Sequence, residues 1–361
     1  MKLALIRRQF SATGGAELYL QRLLIALREA GHELHLYTES WNSKPEDVKL
    51  HPISVKADRA DRLPSFAKAV HQEIAKEDFD CIFSLERTLK QDVYRAGDGV
   101  HRVWLQRRKQ FASWWRRPFV AGGAFHQNML NLEARTFDPE NTNHIIVNSE
   151  MVRGEILEHF DFPPHRIHLV RNGIDADRFH RGNRQAVRQK LGIKHDEFVM
   201  LFVGSGWERK GLKYFLRAYR GVAGENVRAV VVGKGRKPSF GTNGVIFTGP
   251  MEAIEDAYAV ADLLVFLPIY EPSSNVVAEA LAADLPVITT RFNGASELIR
   301  ENKTGTIISD PSDTSAVVHA IERWHAKRGQ NETTPDSELN LERNVEETME
   351  ILTLAAADKK R

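Results

Sequence analysis

The chain opens with a short apolar run, KLALI, a glycine-bearing turn, SATGGAE, and then LYLQRLLIALREAGH, where apolar residues recur at helical spacing. The helical pattern stops at Gly31, a residue suited to a helix C-cap, and a second strand-like run, ELHLYT, follows. Strand, turn, helix, strand is the opening unit of a parallel sheet. CIFSL and HIIVNS predict later strands of the same half. Near Leu169 the stretch VRNGIDADRF is a polar turn cluster suited to a linker, and beyond it the pattern restarts. FVMLFVGSG precedes the helical LKYFLRAYRGV, followed by VRAVVVGKG, GVIFTG, the helix-like EAIEDAYAVAD, LLVFLP, EPSSNVVAEAL, PVITT and GTIIS. This cadence predicts an α/β protein of two doubly wound domains, 1–170 and 171–335, whose strand ends face a shared cleft. The tail is polar from about Gln330, and LERNVEETMEILTLAAA predicts a C-terminal helix over 336–361 that can pack back on the first domain.

Composition narrows the function. At 361 residues the chain is too long for one compact core, and 42% hydrophobic with 27% charged residues excludes extended disorder. A net charge of +2 gives no whole-molecule attraction to nucleic acid, so any basic function is local. Cys81 is the single cysteine, which excludes an intramolecular disulfide and fits a reducing cytoplasm. MKLALIRRQF has an apolar run far shorter than a signal-peptide core, and no stretch approaches the roughly 20 apolar residues of a membrane span. Neither secretion by that route nor integration in a membrane is expected.

Three stretches suit an anion and its neighbours. In TGGAE, Gly14 and Gly15 let the backbone approach a diphosphate at a helix start, although the GxGxxG fingerprint is absent and such a pair also makes a plain tight turn. GSGWERKGL, from Gly204, carries adjacent Arg209 and Lys210, a guanidinium fork beside a point charge. The alternative is two solvated charges at a helix start, where the dipole disfavours them. In EPSSNVVAEAL, Ser273 or Ser274 is suited to cap a helix, which puts Glu271 in the preceding loop and Glu279 about two turns along. The two carboxylates then share no face and cannot form a dyad. Glu271 is expected to accept hydrogen bonds from sugar hydroxyls and Glu279 from a ribose, with the amides near Ser274, Asn275 and Val276 facing a phosphate between them. The scattered histidines show no zinc spacing.

These residues carry a resemblance. The Glu271–Glu279 spacing, the Gly14–Gly15 loop, the Arg209–Lys210 pair and NGID at Asn172 to Asp175 resemble the retaining glycosyltransferases of family 4 over most of the chain. That family has the GT-B fold, two facing Rossmann-like domains with an interdomain cleft. GGAELYLQRLLIALREAGHELHLYTESW, YRAGDGVH and GSGWERKGL are similar to its lipopolysaccharide core glucosyltransferases. The resemblance implies transfer of a hexose, glucose from UDP-glucose, with retention, onto a lipid-anchored saccharide such as the heptose of the lipopolysaccharide core. It implies no cofactor and no required metal. Arg209, Lys210, the Gly15 amide and the helix start near Asn275 would stabilise the leaving diphosphate. Gly233, in VVGKGRK, would border the uridine, while Glu279 holds its ribose and Glu271 the donor sugar. A GT-B sugar-nucleotide epimerase and a non-catalytic nucleotide-sugar-binding scaffold are the competing readings.

Asp98, in AGDGVH, corresponds to an acidic position facing the donor sugar in the related core glucosyltransferases, although an Asp-Gly pair is also a common turn. His101 is its neighbouring candidate. HRVWLQRRKQFASWWRRPF, His101 to Phe119, has no acidic residue. Arg102, Trp104, Arg107, Arg108, Lys109, Trp114, Trp115, Arg116 and Arg117 interleave rings and cations as the headgroup region of an anionic bilayer would favour. Single-stranded nucleic acid rewards the same composition, and an oligomer contact would also explain it. The resemblance decides for the membrane and against nucleic acid, because such acceptors are lipid-anchored at the inner membrane. The expected location is cytoplasmic, peripherally associated with that membrane.

Overall fold

The structure is a computed structural model and describes residues 1–9, 15–41, 47–222, 224, 226–239, 242–329 and 339–360, with the backbone alone described over 15–18. The chain divides into two compact units. One comprises Met1–Gly173 with Leu341–Arg361, the other Ile174–Asn340.

The first unit holds a seven-stranded parallel sheet of β1 (Lys2–Ile6), β2 (Glu33–Thr38), β3 (Val48–Pro52), β4 (Cys81–Ser84), β5 (Gln91–Arg95), β6 (Thr142–Val147) and β7 (Ile167–Leu169). Their order is β3-β2-β1-β4-β5-β6-β7. The second holds six: β8 (Phe198–Val203), β9 (Val227–Val232), β10 (Val245–Gly249), β11 (Leu263–Phe266), β12 (Val287–Thr290) and β13 (Gly305–Ile308), ordered β10-β9-β8-β11-β12-β13. Both sheets are doubly wound, as the alternation of patterns predicts. Helices cover both faces of such a sheet, so its central strands are buried on both sides, and all six positions of β8, FVMLFV, are buried.

In each unit the direction of winding reverses once, between β1 and β4 and between β8 and β11. Ligands of open α/β sheets bind at the carboxyl ends of the strands flanking that reversal. For the second unit, the chain leaving those two strands supplies Gly204–Gly211 and Leu267–Ser274, the stretches that carry Arg209, Lys210 and Glu271.

The helix Leu341–Lys359 belongs to the first unit. Its Ile351, Leu352, Ala355 and Ala356 complete a core with Leu5, Tyr19, Leu23 and Phe83, and the Tyr19 and Thr348 hydroxyls lie 3.2 Å apart. No helix among the described residues is long and apolar enough to cross a membrane.

Candidate functional site

Two glycines allow the loops of the second unit to meet. Gly211 has φ +79°, and a Cβ there would fall 1.7 Å from the Leu267 carbonyl oxygen, so no other residue fits where the β8 loop touches the β11 loop. The Ile269 amide donates to the Arg209 carbonyl at 2.9 Å across the same seam. At the next strand, Gly233 has φ +127°, and its Cβ would lie 2.2 Å from the Gly204 carbonyl oxygen. The Lys234 amide then reaches the Ser205 hydroxyl at 2.9 Å, and the Trp207 indole N–H donates to the Gly204 carbonyl at 2.9 Å.

Arg209 and Lys210 do not begin a helix, as the sequence suggests. They end the one-turn helix Trp207–Lys210, which Gly211 closes in a left-handed conformation, so the expected clash with a helix N-terminus does not arise within that turn. Arg209 Nη1 donates to Glu271 Oε2 at 2.8 Å and to the Tyr270 carbonyl at 3.2 Å, which brings two predicted site residues into contact. Lys210 folds back over Gly204, with its ammonium 5.6 Å from the Phe266 ring centre. It has no ion-pair partner among the described residues.

The helix Asn275–Ala282 starts where the sequence places it, with Ser274 in the cap position. The hydroxyl, however, makes no capping bond: Ser274 Oγ is buried and has no hydrogen-bond partner among the described residues. The loop is held instead by Asn293, whose Oδ1 accepts from the amides of Ser274 (3.3 Å) and Ala295 (3.1 Å) while its amide donates to Thr289. Ser273 lies in the preceding loop and Val276 is buried in the first turn. Glu279 faces Tyr258, whose phenol donates to Oε2 at 2.5 Å. Burial pushes the Glu279 carboxyl above its ordinary range, opposed by the Tyr258 hydrogen bond and by the positive charges of Arg178 and Lys210. Glu271 and Glu279 therefore have separate partners and form no dyad. Tyr258 and Asn293 were not singled out from sequence, and no motif marks them; they become visible only once the helix and its neighbours are packed.

In the first unit, Gly14 lies outside the described residues, and Gly15 is the first residue of the helix Gly15–Glu29. Asp98 is exposed in the turn after β5, at the carboxyl end of the sheet, and the Gly99 amide closes that turn onto the Ala96 carbonyl at 3.1 Å. Asp98 adds to the negative field that, after burial, holds Glu86 above its usual range. His101 opens the helix His101–Phe111, and its Nε2 lies 3.1 Å from His126 Nδ1. Burial, together with Arg87 and His126, lowers its pKa to about 4, so the ring is neutral at physiological pH. The start of that helix is capped by a residue that sequence reading missed. Buried Glu133 accepts from the amides of His101 (2.5 Å) and Arg102 (3.0 Å), and Arg87 Nη2 lies 3.3 Å from the same carboxylate.

The aromatic and basic stretch divides in two. Over the helix His101–Phe111, Val103 and Leu105 are buried, Trp104, Arg107 and Arg108 are half-buried, and Arg102 and Lys109 are exposed. Beyond it Trp114 (81%), Phe119 (78%) and Trp115 (54%) are exposed, beside exposed Arg116 and Arg117. The Arg116 guanidinium stacks 4.6 Å from the Trp115 ring.

The fold and the loops at its switch points define a two-unit α/β enzyme of the GT-B kind. A crystal structure of WaaG, a glycosyltransferase involved in lipopolysaccharide biosynthesis, matches with a TM-score of 0.77 at 22% identity over 99% of this chain and 98% of that one. Anabaena HepE in complex with UDP-glucose matches with a TM-score of 0.65 at 16% identity, over 100% of this chain and 99% of that one. Residues 13–178 match the Glycosyltransferase Family 4 model and residues 197–327 that of Glycosyl transferases group 1. The chain belongs to the family 4 glycosyltransferases. It is similar to the lipopolysaccharide glucosyltransferase WaaG of Escherichia coli, 25% identical over 315 residues and 82% of each chain.

Proposed function

We propose that this transferase moves glucose from UDP-glucose, with retention of configuration, onto a lipid-anchored saccharide, the heptose of the lipopolysaccharide core or its chemical equivalent. One observation carries the reading. At the switch point of the second unit, the Lys210 ammonium has no counter-ion and the buried Ser274 hydroxyl no partner among the described residues, on the two loops where an anion would bind. A diphosphate supplies oxygens for both. The similarity to WaaG supports the acceptor class, and the fold shared with a protein that binds UDP-glucose supports the donor.

In this mechanism Arg209 and Lys210 neutralise the charge that develops on the leaving diphosphate, which lets the reaction proceed without a required metal. Glu279 accepts from the ribose hydroxyls and Glu271, oriented by Arg209, from the glucose. The acceptor hydroxyl attacks the anomeric carbon on the face the diphosphate leaves. The carbon–phosphate-oxygen bond breaks as the new glycosidic bond forms, and a β-phosphate oxygen takes the hydroxyl proton. Asp98 is assigned to orienting the sugar. Peripheral binding at the cytoplasmic face of the inner membrane, through Trp114, Trp115 and Phe119 and the surrounding arginines, brings the enzyme to its acceptor.

The test is UDP release from UDP-glucose, UDP-galactose and UDP-N-acetylglucosamine, with and without rough lipopolysaccharide, and mass and anomeric analysis of the product. Acceptor-dependent UDP release, a gain of one hexose and a retained α-linkage are expected from UDP-glucose, with turnover of folded Asp98→Ala down about 100-fold or more. UDP release indifferent to acceptor, or an inverted linkage, overturns the reading.

A further inference from the structure

The second unit's loops do not use the histidines, yet two of them converge in the first. His35 on β2, His51 on β3 and Glu77, in the segment before β4, bring one ligand atom each to a common point, all within 4.8 Å of one another. His35 Nδ1 lies 2.9 Å from His51 Nε2 and 3.8 Å from Glu77 Oε2. Ligands of a tetrahedral zinc ion, with bonds near 2.0–2.1 Å, stand about 3.3 Å apart, midway between those two separations.

The surroundings are those of a metal-binding imidazole. His35 Nε2 lies 3.0 Å from Glu33 Oε1, and Glu33 is itself fixed by Lys49 Nζ at 2.6 Å. With Glu33 accepting the Nε2 proton, a neutral His35 ring turns its Nδ1 lone pair toward His51 and Glu77. This carboxylate–histidine arrangement is the one that orients metal ligands. The rings cannot drift: His35 is 1% exposed, packs edge-on against Phe79 at 4.9 Å, and stacks on His51, which in turn stacks on Tyr37 at 4.4 Å. His51 is half-buried and Glu77 exposed on an edge strand and a surface turn, so an ion can enter and a water can complete its shell.

We propose that His35, His51 and Glu77 form a zinc-type transition-metal site, with Glu33 orienting His35. Two imidazoles and one carboxylate select such an ion over magnesium or calcium, which prefer all-oxygen shells. Binding displaces the proton shared between the two histidines and takes Glu77 from Lys2, whose Nζ holds Oε2 at 2.8 Å. The site joins His35, midway along β2, and His51, near the end of the edge strand β3, to the segment before β4, whereas Asp98 follows β5. Its effect is therefore on the stability of this unit, and it is separate from the sugar-transfer reading.

The experiment titrates tag-free, chelator-treated full-length protein with Co²⁺ and reads visible absorption. Saturation at one equivalent per chain, with bands of tetrahedral intensity, displacement by Zn²⁺ and indifference to excess Mg²⁺ are expected. Glu77→Gln, at an exposed position that leaves the fold intact, should weaken binding at least tenfold, His51→Gln should abolish the bands, and Lys2→Gln should tighten binding. The absence of a saturable band in the wild type overturns the proposal. So does equal Co²⁺ affinity in the wild type, Glu77→Gln and His51→Gln.

Discussion

At the scale of single residues, Glu279 sets function against stability. Its folded pKa lies above the ordinary 4.5, so between that value and the raised one the folded chain binds more protons than the unfolded chain. Stability therefore falls as pH rises through this window, and the cost is fully present above it. Glu279→Gln should melt above the wild type at pH 8, with the difference closing as pH falls below about 4.5. If the carboxylate grips the ribose, donor affinity should fall about 10–100-fold, the worth of a hydrogen bond to a charged group. Melting curves across pH and a UDP titration check the two halves separately. Arg209→Ala removes the partner of Glu271 and, on the proposed reading, a charge that neutralises the leaving diphosphate. We expect kcat/KM to drop about 100–1,000-fold with a small fall in Tm, since Arg209 is 36% exposed but Glu271, 12% exposed, loses this partner. Sequence spacing supplied the residue types for this site but not their pairings. Arg209 and Glu271 are 62 positions apart and meet because β8 pairs with β11; Tyr258 and Glu279 are 21 apart, on the helices that precede and follow β11.

At the scale of elements, the buried Glu133 is a substitute for a local cap. Val100 precedes the helix His101–Phe111 and has no side-chain acceptor, so a carboxylate from the helix Ala124–Thr136 takes the first amides. Glu133→Gln leaves Arg87 with a neutral neighbour and should cost about 3 kcal/mol, seen as a fall of about 10 °C in the lowest thermal transition. A melt unchanged within 2–3 °C would sink this account. Elements buried on both faces, such as FVMLFV, were legible because nothing polar interrupts them, and VRAVVV because Arg228 is its one polar residue. QDVYR was not. Gln91 is buried because Thr88 and Thr142 satisfy it, and Asp92 is half-buried, accepting from the Ile82 amide and Lys359, so polar side chains stand where a strand pattern needs apolar ones. VKLHP escaped notice as an edge strand with one buried position.

At the scale of the whole molecule, the exposed rings at Trp114, Trp115 and Phe119 predict where the enzyme is found. Replacing all three by Ser should reduce binding to vesicles containing anionic lipid at least tenfold, leaving UDP release with a detergent-solubilised acceptor unchanged. Raising salt should weaken wild-type binding by screening the arginines. Equal co-sedimentation of wild type and variant would remove the membrane from the account. The chain passes from one unit to the other within VRNGIDADRF, at Gly173–Ile174 rather than after 170, and returns at Leu341 rather than at 336.

That return fixes an order of birth. The core around Leu5 and Phe83 lacks Ile351 and Leu352 until they are translated, after every strand of the second unit. At about 5–20 residues per second, the first unit waits roughly 10–30 s on the ribosome with one side of its sheet uncovered while the second is being made. A chaperone that shields nascent apolar surface would find its target in the earlier-made half of this protein, and the later-made half would be the first to become native.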